Sequence, residues 1–229
     1  MTSDDLYTLF RSDVVDTVAP YLWTDTEVWN YMNDAYRTFV RLIGGIPDSM
    51  SSLTQVAIKT GGATSAVSPL ILRFNNAYLL SDGTNLKIIN SANTPQFNAT
   101  DYGNTMTSQR NTTAGPVRYM ITNAGRNKDA GYVRWAKIPQ KDDTVQLDVY
   151  RLPLDVVTTG FEFDEVGEEH HEAFLLWMKA RAYGKADTET FDRGRRDDNM
   201  KLFRDYCADA KAENRRYKSH VMTAAYGGL

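Results

Sequence analysis

Apolar residues recur at helical spacing at both ends of the chain and at strand spacing in between. In TDTEVWNYMNDAYRTFVRLIGG, Val28, Met32, Ala35, Phe39 and Leu42 follow one another at steps of four, three, four and three. That spacing keeps them on one face of a helix. Thr24, with Glu27 three residues on, forms a capping-box signature. Gly44 and Gly45 supply a stop, and Pro47 prevents the helix from restarting at once. A shorter helix is expected from about Asp4 to Asp16, with Leu6, Leu9, Phe10 and Val14 on its apolar side. Pro20 falls in the connection.

From about Leu53 to Leu154 the period changes to two. TQVAIKT places Val56 and Ile58 on one face, and LILRF places Leu70, Leu72 and Phe74 on one face. LLSDGTNLKII carries an Asp82–Gly83 turn between apolar runs, a hairpin signal. Three more strands are expected in VRYMIT, GYVRWAKI and TVQLDVYRL. In the last, Val145, Leu147 and Val149 face one way and Thr144, Gln146 and Asp148 the other. The pattern predicts an antiparallel meander with one solvated face. Asn90 to Gly115 fits neither period: it is built almost wholly from Asn, Thr, Ser, Gly and Gln. A connection this long is either a surface loop or a segment that orders against a partner.

Helical spacing returns in GEEHHEAFLLWMKARAYGKAD. Phe174, Trp177 or Met178, Arg181 and Ala182 continue it up to Gly184. A second long helix is expected from about Thr188 to Ser219, with Met200, Phe203, Cys207, Ala210 and Tyr217 as its stripe. Glu189–Arg193, Asp192–Arg196 and Asp197–Lys201 are acid-before-base pairs four apart, the favourable orientation, and Gly194 marks a weak point. The order predicts an α+β fold. Residues 1–52 and 155–219 would form an antiparallel helical bundle, with an inserted antiparallel β domain at 53–154 bearing the polar loop 90–115. Residues 220–229 would be a C-terminal tail. No repeat of fixed period is present.

Composition narrows the function classes. The chain has 229 residues, 42% of them hydrophobic and 24% charged, with a net charge of −3. That balance fits a soluble globular protein and lacks the basic excess of a nucleic-acid or membrane binder. No apolar run approaches the ~20 residues of a membrane-spanning helix, and MTSDDLYTLF lacks the pattern of a signal peptide. One cysteine, Cys207, allows neither an internal disulfide nor a multi-cysteine metal site. A protein made and kept in a reducing cytosol is expected.

Candidate chemistry is sparse. His170 and His171 are adjacent among carboxylates, so on a helix they point about 100° apart and do not face one metal easily. Zinc proteases space their histidines four apart. Glu168, Glu169 and Glu172 are expected instead in the first turns of a helix, where the macrodipole favours acids. A small metal-dependent hydrolase using His170, His171 and nearby carboxylates is kept as the alternative function. Asp4, Asp5, Asp13 and Asp16 read as caps or a solvated face. KTGGATS lacks the spacing of a phosphate loop, and Cys207 falls on an apolar stripe as a buried, inert thiol. No catalytic residue, cofactor or metal is assigned.

The chain's last segment, SHVMTAAYGGL, follows Arg215, Arg216 and Lys218 and is nearly uncharged. The segment is either a frayed end or, with apolar Val221, Met222, Tyr226 and Leu229 and with Gly227 and Gly228 allowing a bend, a peptide that docks in a partner's groove or adds to a sheet edge.

LFRSDVVDTVAPYLWTDTEVWNYMNDAYRTFVRLIGGIPD, VYRLPL, EEHHEAFLLWMKARAYGKADTETFDRGRR and the closing AAYGGL resemble the phage head-to-tail adaptor (connector) family. The likeness covers both helical ends well and the strand region loosely. It implies a non-enzymatic virion protein in the neck between capsid and tail, present in the host cytoplasm during assembly. It further implies a homo-oligomeric ring, usually dodecameric, that joins the portal protein to a tail or nozzle protein. Genomic DNA would pass through its channel without sequence-specific binding, and no membrane partner is expected. The C-terminal segment, with Val221, Met222, Tyr226 and Leu229, would reach into the portal. The polar loop has no counterpart in the resemblance.

Overall fold

The computed structural model describes residues 1–90, 114–122, 131–187 and 189–219. The fold is α+β, and the chain divides into two compact units, Met1–Ile46 with Leu152–Leu229, and Pro47–Arg151.

The first unit holds four helices among the described residues. α1 (Ser3–Asp13) opens with a reciprocal cap: the Asp5 amide donates to Thr2 Oγ1 at 3.3 Å, and the Thr2 amide donates to the Asp5 carboxylate at 2.8 Å. α2 (Asp25–Ile43) opens the same way on Thr24 and Glu27 and closes at Gly44, whose φ of 107° is left-handed. A side chain there would be strained, so glycine ends the helix cleanly. α3 (Ala173–Tyr183) is buried on most sides and follows a separate 3₁₀ turn, Glu168–His170. Glu168, Glu169 and Glu172 therefore precede α3 rather than occupy its first turn. α4 (Arg193–Ser219) begins later than the expected start near Thr188, because the Asp192 carboxylate accepts the Arg195 amide at 3.0 Å and caps the helix. Gly194 thus lies in the first turn. Asp197 pairs with Arg196 at 2.7 Å and lies 3.6 Å from Arg193, both upstream of it, so the expected Asp197–Lys201 pairing is replaced.

The helix stripes meet in one aromatic core. Phe39 of α2 is fully buried, with its ring centroid 5.3 Å from Phe174 of α3 and 6.5 Å from Phe203 of α4. Tyr36 adds Phe163 at 5.2 Å and Phe174 at 5.7 Å. Such contacts between rings contribute beyond the apolar area they bury. Trp23 anchors the start of α2 by donating its indole N–H to the carbonyl of Ala182 at 3.1 Å. Leu9, expected on the apolar side of α1, is partly exposed.

Among the described residues the second unit contains two four-stranded sheets rather than one antiparallel meander. In the first, β8 (Asp143–Arg151) lies between β1 (Ile46–Asp48) and β2 (Gln55–Ile58) on one path and also pairs antiparallel with β4 (Ile71–Leu79). The second runs β3 (Thr64–Ala66), β7 (Tyr132–Trp135), β6 (Tyr119–Thr122), β5 (Lys87–Asn90). The Asp82–Gly83 turn forms, with Gly83 at φ 70° and the Leu79 amide on the Thr84 carbonyl at 2.9 Å. β5 then leaves β4 and pairs parallel with β6, in register Lys87↔Tyr119. A turn motif fixes only its flanking residues, so it did not reveal the change of partner.

Two irregularities in β4 break the expected alternation. Register shifts fall between Ile71 and Arg73 and between Phe74 and Asn76, and Leu72 is exposed. A bulge moves the following side chains to the other face. On β8, Val145, Leu147 and Val149 are fully buried as expected. Gln146 on the other face is also buried: its amide donates to the Ser49 carbonyl and to Thr54 Oγ1, each at 2.7 Å. The 49–54 segment therefore covers part of the face expected to be solvated.

Arg151 closes the edge of this unit on Asp48, and both side chains are buried. Burial opposes the charge on Asp48. The Ser51 hydroxyl and amide, the Arg151 guanidinium and the Met50 amide outweigh it and hold the carboxyl well below its usual range. A depressed folded-state value gives stabilisation that is complete above the unfolded value near ~4 and is lost as the pH falls through the folded value.

Two outcomes are expected. Phe39→Ala should destabilise the helical unit by about 3–5 kcal/mol; an unchanged midpoint in urea would contradict the core described here. In the second unit, stability should fall less steeply between about pH 5 and 2 in Asp48→Asn than in the wild type. Trp135, buried with its indole N–H donating to Ser65 Oγ at 3.1 Å, reports this unit through its indole resonance. Parallel acid profiles would show that Asp48 does not carry the effect.

Candidate interaction surfaces

The connection between α1 and α2 is held by a buried ion. Arg11 is 5% exposed and Asp16 is 4% exposed, and they pair directly. The Arg11 guanidinium also donates to the Trp23 carbonyl at 2.7 Å, to Asp25 at 2.7 Å and to the Tyr7 hydroxyl at 3.1 Å. Tyr7 in turn donates to Asp25 at 2.5 Å. This contact and the Arg11 guanidinium hold the Asp25 carboxyl below its usual range, against partial desolvation. Asp16, expected on a solvated face, instead accepts the amides of Leu22 at 2.9 Å and Trp23 at 3.3 Å. A buried carboxylate with a full set of donors is a structural anchor.

The anchored loop presents apolar side chains to solvent. Val15 is 84% exposed and Val18 78% exposed, with Tyr21 and Leu22 partly exposed beside them. Tyr21 lies over the Arg11 guanidinium at 4.2 Å. Val15 has φ 57°, in the left-handed region that a β-branched residue rarely adopts. Strain of this kind persists only where surrounding structure over-determines it, and here the Arg11–Asp16 pair does so. The sequence pattern extends the first helix to Asp16 and reads only the rest of this stretch as a connection; the helix instead ends at Asp13, and Val15 and Asp16 lie beyond it.

His170 and His171 are committed to different partners. His170 Nδ1 lies 3.0 Å from the Tyr206 hydroxyl, and His171 Nε2 lies 2.9 Å from the Val166 carbonyl. The His171 ring is buried against Phe163 and Phe174. Among the described residues, no group of three metal-binding side chains converges. Around the pair runs a dense acidic turn: Glu162, Asp164, Glu165, Glu168, Glu169 and Glu172, all exposed. The amino group of Met1 sits on Glu168 at 2.9 Å. Asp164 and Glu172 have no side-chain hydrogen bond or ion pair among the described residues.

The second unit contains a cavity of about 700 Å³. Ile58, Leu79 and Val117 form its buried apolar part, and Lys87, Arg118 and Lys141 reach it from β5, from the residues leading into β6, and from the turn before β8. None of these three cations has a side-chain hydrogen bond or ion pair among the described residues. Two carboxylates, Asp82 and Asp143, also line the cavity and accept hydrogen bonds from neutral groups. The Thr84 amide donates to Asp82 at 2.9 Å, and the Thr84 amide and hydroxyl together with the nearby charge of Lys141 hold that carboxyl below its usual range. Asp143 accepts the Ser81 hydroxyl at 2.6 Å and the Thr144 amide at 2.8 Å.

Other sequence candidates are accounted for locally. Asp5 caps α1, the Asp4 carboxylate accepts the Gly160 amide at 3.1 Å, and Asp13 pairs with Lys179 at 2.9 Å. In KTGGATS the Thr60 amide and hydroxyl donate to Asp142 at 2.7 and 2.8 Å, so a carboxylate of the chain occupies the donors a phosphate would use. Cys207 is buried, and desolvation pushes its thiol up to about 12. Residues 91–113 of the polar loop, and Val221, Met222, Tyr226 and Leu229 of the tail, lie outside the described residues. No helix among the described residues is long and apolar enough to cross a membrane.

A search of curated proteins found no match to the chain. The family model described as SU10 adaptor protein matches residues 1–224. That match runs through both helical ends and the strand region between them, and the chain therefore belongs to the SU10 adaptor protein family, a family of phage structural adaptors.

Proposed function

We propose that this chain is the head-to-tail adaptor of a tailed phage, joining the portal to the tail as a closed ring of copies, with genomic DNA passing through the channel. The match to the adaptor family over residues 1–224 carries the reading. In this reading the first unit is a helical bundle closed by both ends of the chain, and the second is a β domain inserted into it. Twelve copies form the ring, as the resemblance implies. The role is structural rather than enzymatic, and its place is the neck of the virion, reached from the host cytoplasm during assembly.

Two physical features support it. The exposed, uncharged apolar surface at Val15, Val18 and Leu22 is of the kind that marks a contact with another protein. A net charge of −3 gives a channel wall no strong general attraction for DNA phosphates. Specific phosphate contacts would slow a genome that must move through.

The portal contact is assigned to the tail, with Val221, Met222, Tyr226 and Leu229 as apolar anchors. A segment that orders on binding loses conformational entropy, so anchors of this type must compensate. Removing residues 220–229 should leave the urea midpoint of the subunit unchanged and weaken capture by purified portal rings by about 100-fold, as for loss of two or three anchoring side chains. Equal capture of truncated and full-length protein would overturn the tail assignment.

A further inference from the structure

We infer that the cation-lined cavity of the second unit receives the acidic turn, residues 162–172, of a neighbouring copy. The inference rests on the ring reading and names the surfaces that would build it. The two surfaces complement each other in charge. Lys87, Arg118 and Lys141 line one cavity with no acidic side chain bonded to any of them among the described residues. The two carboxylates in that cavity, Asp82 and Asp143, are held by Thr84 and by Ser81 and Thr144. Those donors are neutral and leave both carboxylates charged, so three cations against two carboxylates give the lining a small excess of positive charge. The acidic turn exposes Glu162, Asp164, Glu169 and Glu172 close together in sequence. Like charges so placed repel in the free subunit, and cations from outside the turn relieve that repulsion.

The turn is presented by a rigid base. Phe163 and Val166 between the acids are buried in the first unit's core, and His171 fixes the Val166 carbonyl. The acids thus sit on a fixed backbone and lose little conformational freedom on binding. The two surfaces are different patches of the same chain, so the contact is heterologous. Repeated from copy to copy, it generates a ring where the rotation closes. A nucleic acid is a poorer occupant. The buried part of the cavity is aliphatic, formed by Ile58, Leu79 and Val117, and among the described residues Tyr119 alone brings an aromatic ring to the lining, whereas single-strand sites combine a basic track with successive aromatic stacking platforms.

Charge reversal on the full-length chain tests the inference. One variant carries Lys87→Glu, Arg118→Glu and Lys141→Glu. The other carries Glu162→Lys, Asp164→Lys, Glu169→Lys and Glu172→Lys, so that of the turn's acids only Glu165 and Glu168 remain and its net sign is reversed. Self-association is measured by sedimentation velocity at low salt, with a urea midpoint for each variant. The wild type is expected to self-associate and to weaken as salt rises. Each variant alone should associate about tenfold or more weakly, as for loss of close charge pairs. An equimolar mixture should regain assembly, because each cavity then meets a turn of opposite sign. A mixture that stays dissociated, or a variant that associates as well as the wild type, would overturn the inference. So would a wild-type chain that remains monomeric at low salt. Portal capture is read separately: its survival in any of these cases leaves the adaptor reading standing, and its loss in the wild type would remove that reading instead.

Discussion

A guanidinium buried in a protein must be neutralised and hydrogen-bonded on all sides, and Arg11 imposes that condition on the first unit. Asp16, Asp25, Tyr7 and the Trp23 carbonyl together satisfy it. Removing Arg11 would leave the buried Asp16 carboxylate without a cation, which is far more destabilising than the pair is stabilising. The path of the chain from α1 to α2 is therefore fixed by electrostatics rather than by packing alone. The same residues place Trp23 in the core, where its indole reaches Ala182 at the end of α3. They also hold Val15 in a backbone conformation it would otherwise avoid. An exposed apolar loop follows from this one buried ion.

The second unit uses a related device for a different purpose. Asp48 and Arg151 lie at the two ends of its sequence, beside the points where the chain passes from one compact unit to the other. Their pairing, with Ser51 and Met50 completing the carboxylate's shell, ties β1 to the last residue of β8. The unit's two sheets share a buried cluster that includes Val56, Met120, Trp135 and Leu147. That arrangement brings β5, the start of β6 and the turn before β8 around one cavity. Lys87, Arg118 and Lys141 are far apart in sequence and meet only because β5 crosses to the second sheet.

The parts of this architecture that depend on local chemistry were legible in the sequence. The start and end of α2 follow from Thr24, Glu27 and Gly44, and its buried face from Val28, Met32, Ala35 and Phe39. The buried face of β8 follows from strict alternation. What stayed hidden depends on distant partners. Nothing near Asp16 shows that it meets Arg11 and the amides of Leu22 and Trp23. Leu72 reads as a core residue until the irregularities of β4 turn it outward. The parallel pairing of β5 with β6 is decided by the rest of the sheet, and the cavity follows from it. Glu168, Glu169 and Glu172 read as the first turns of a helix; that they join Glu162, Asp164 and Glu165 in one acidic turn based in the aromatic core was hidden, because His171 reads as polar. The family resemblance was carried by the helical ends, where local signals are strongest.

The central claim is that this chain occupies the junction of portal and tail. Electron cryomicroscopy of the intact virion tests it most directly, since the helical unit is large enough to be recognised from Tyr36, Phe39, Phe163 and Phe174 in density. The account predicts a closed ring of copies of this chain seated on the portal, with the tail attached below. A neck in which this chain is absent, or in which it lies on the capsid surface or at the distal end of the tail, would contradict it.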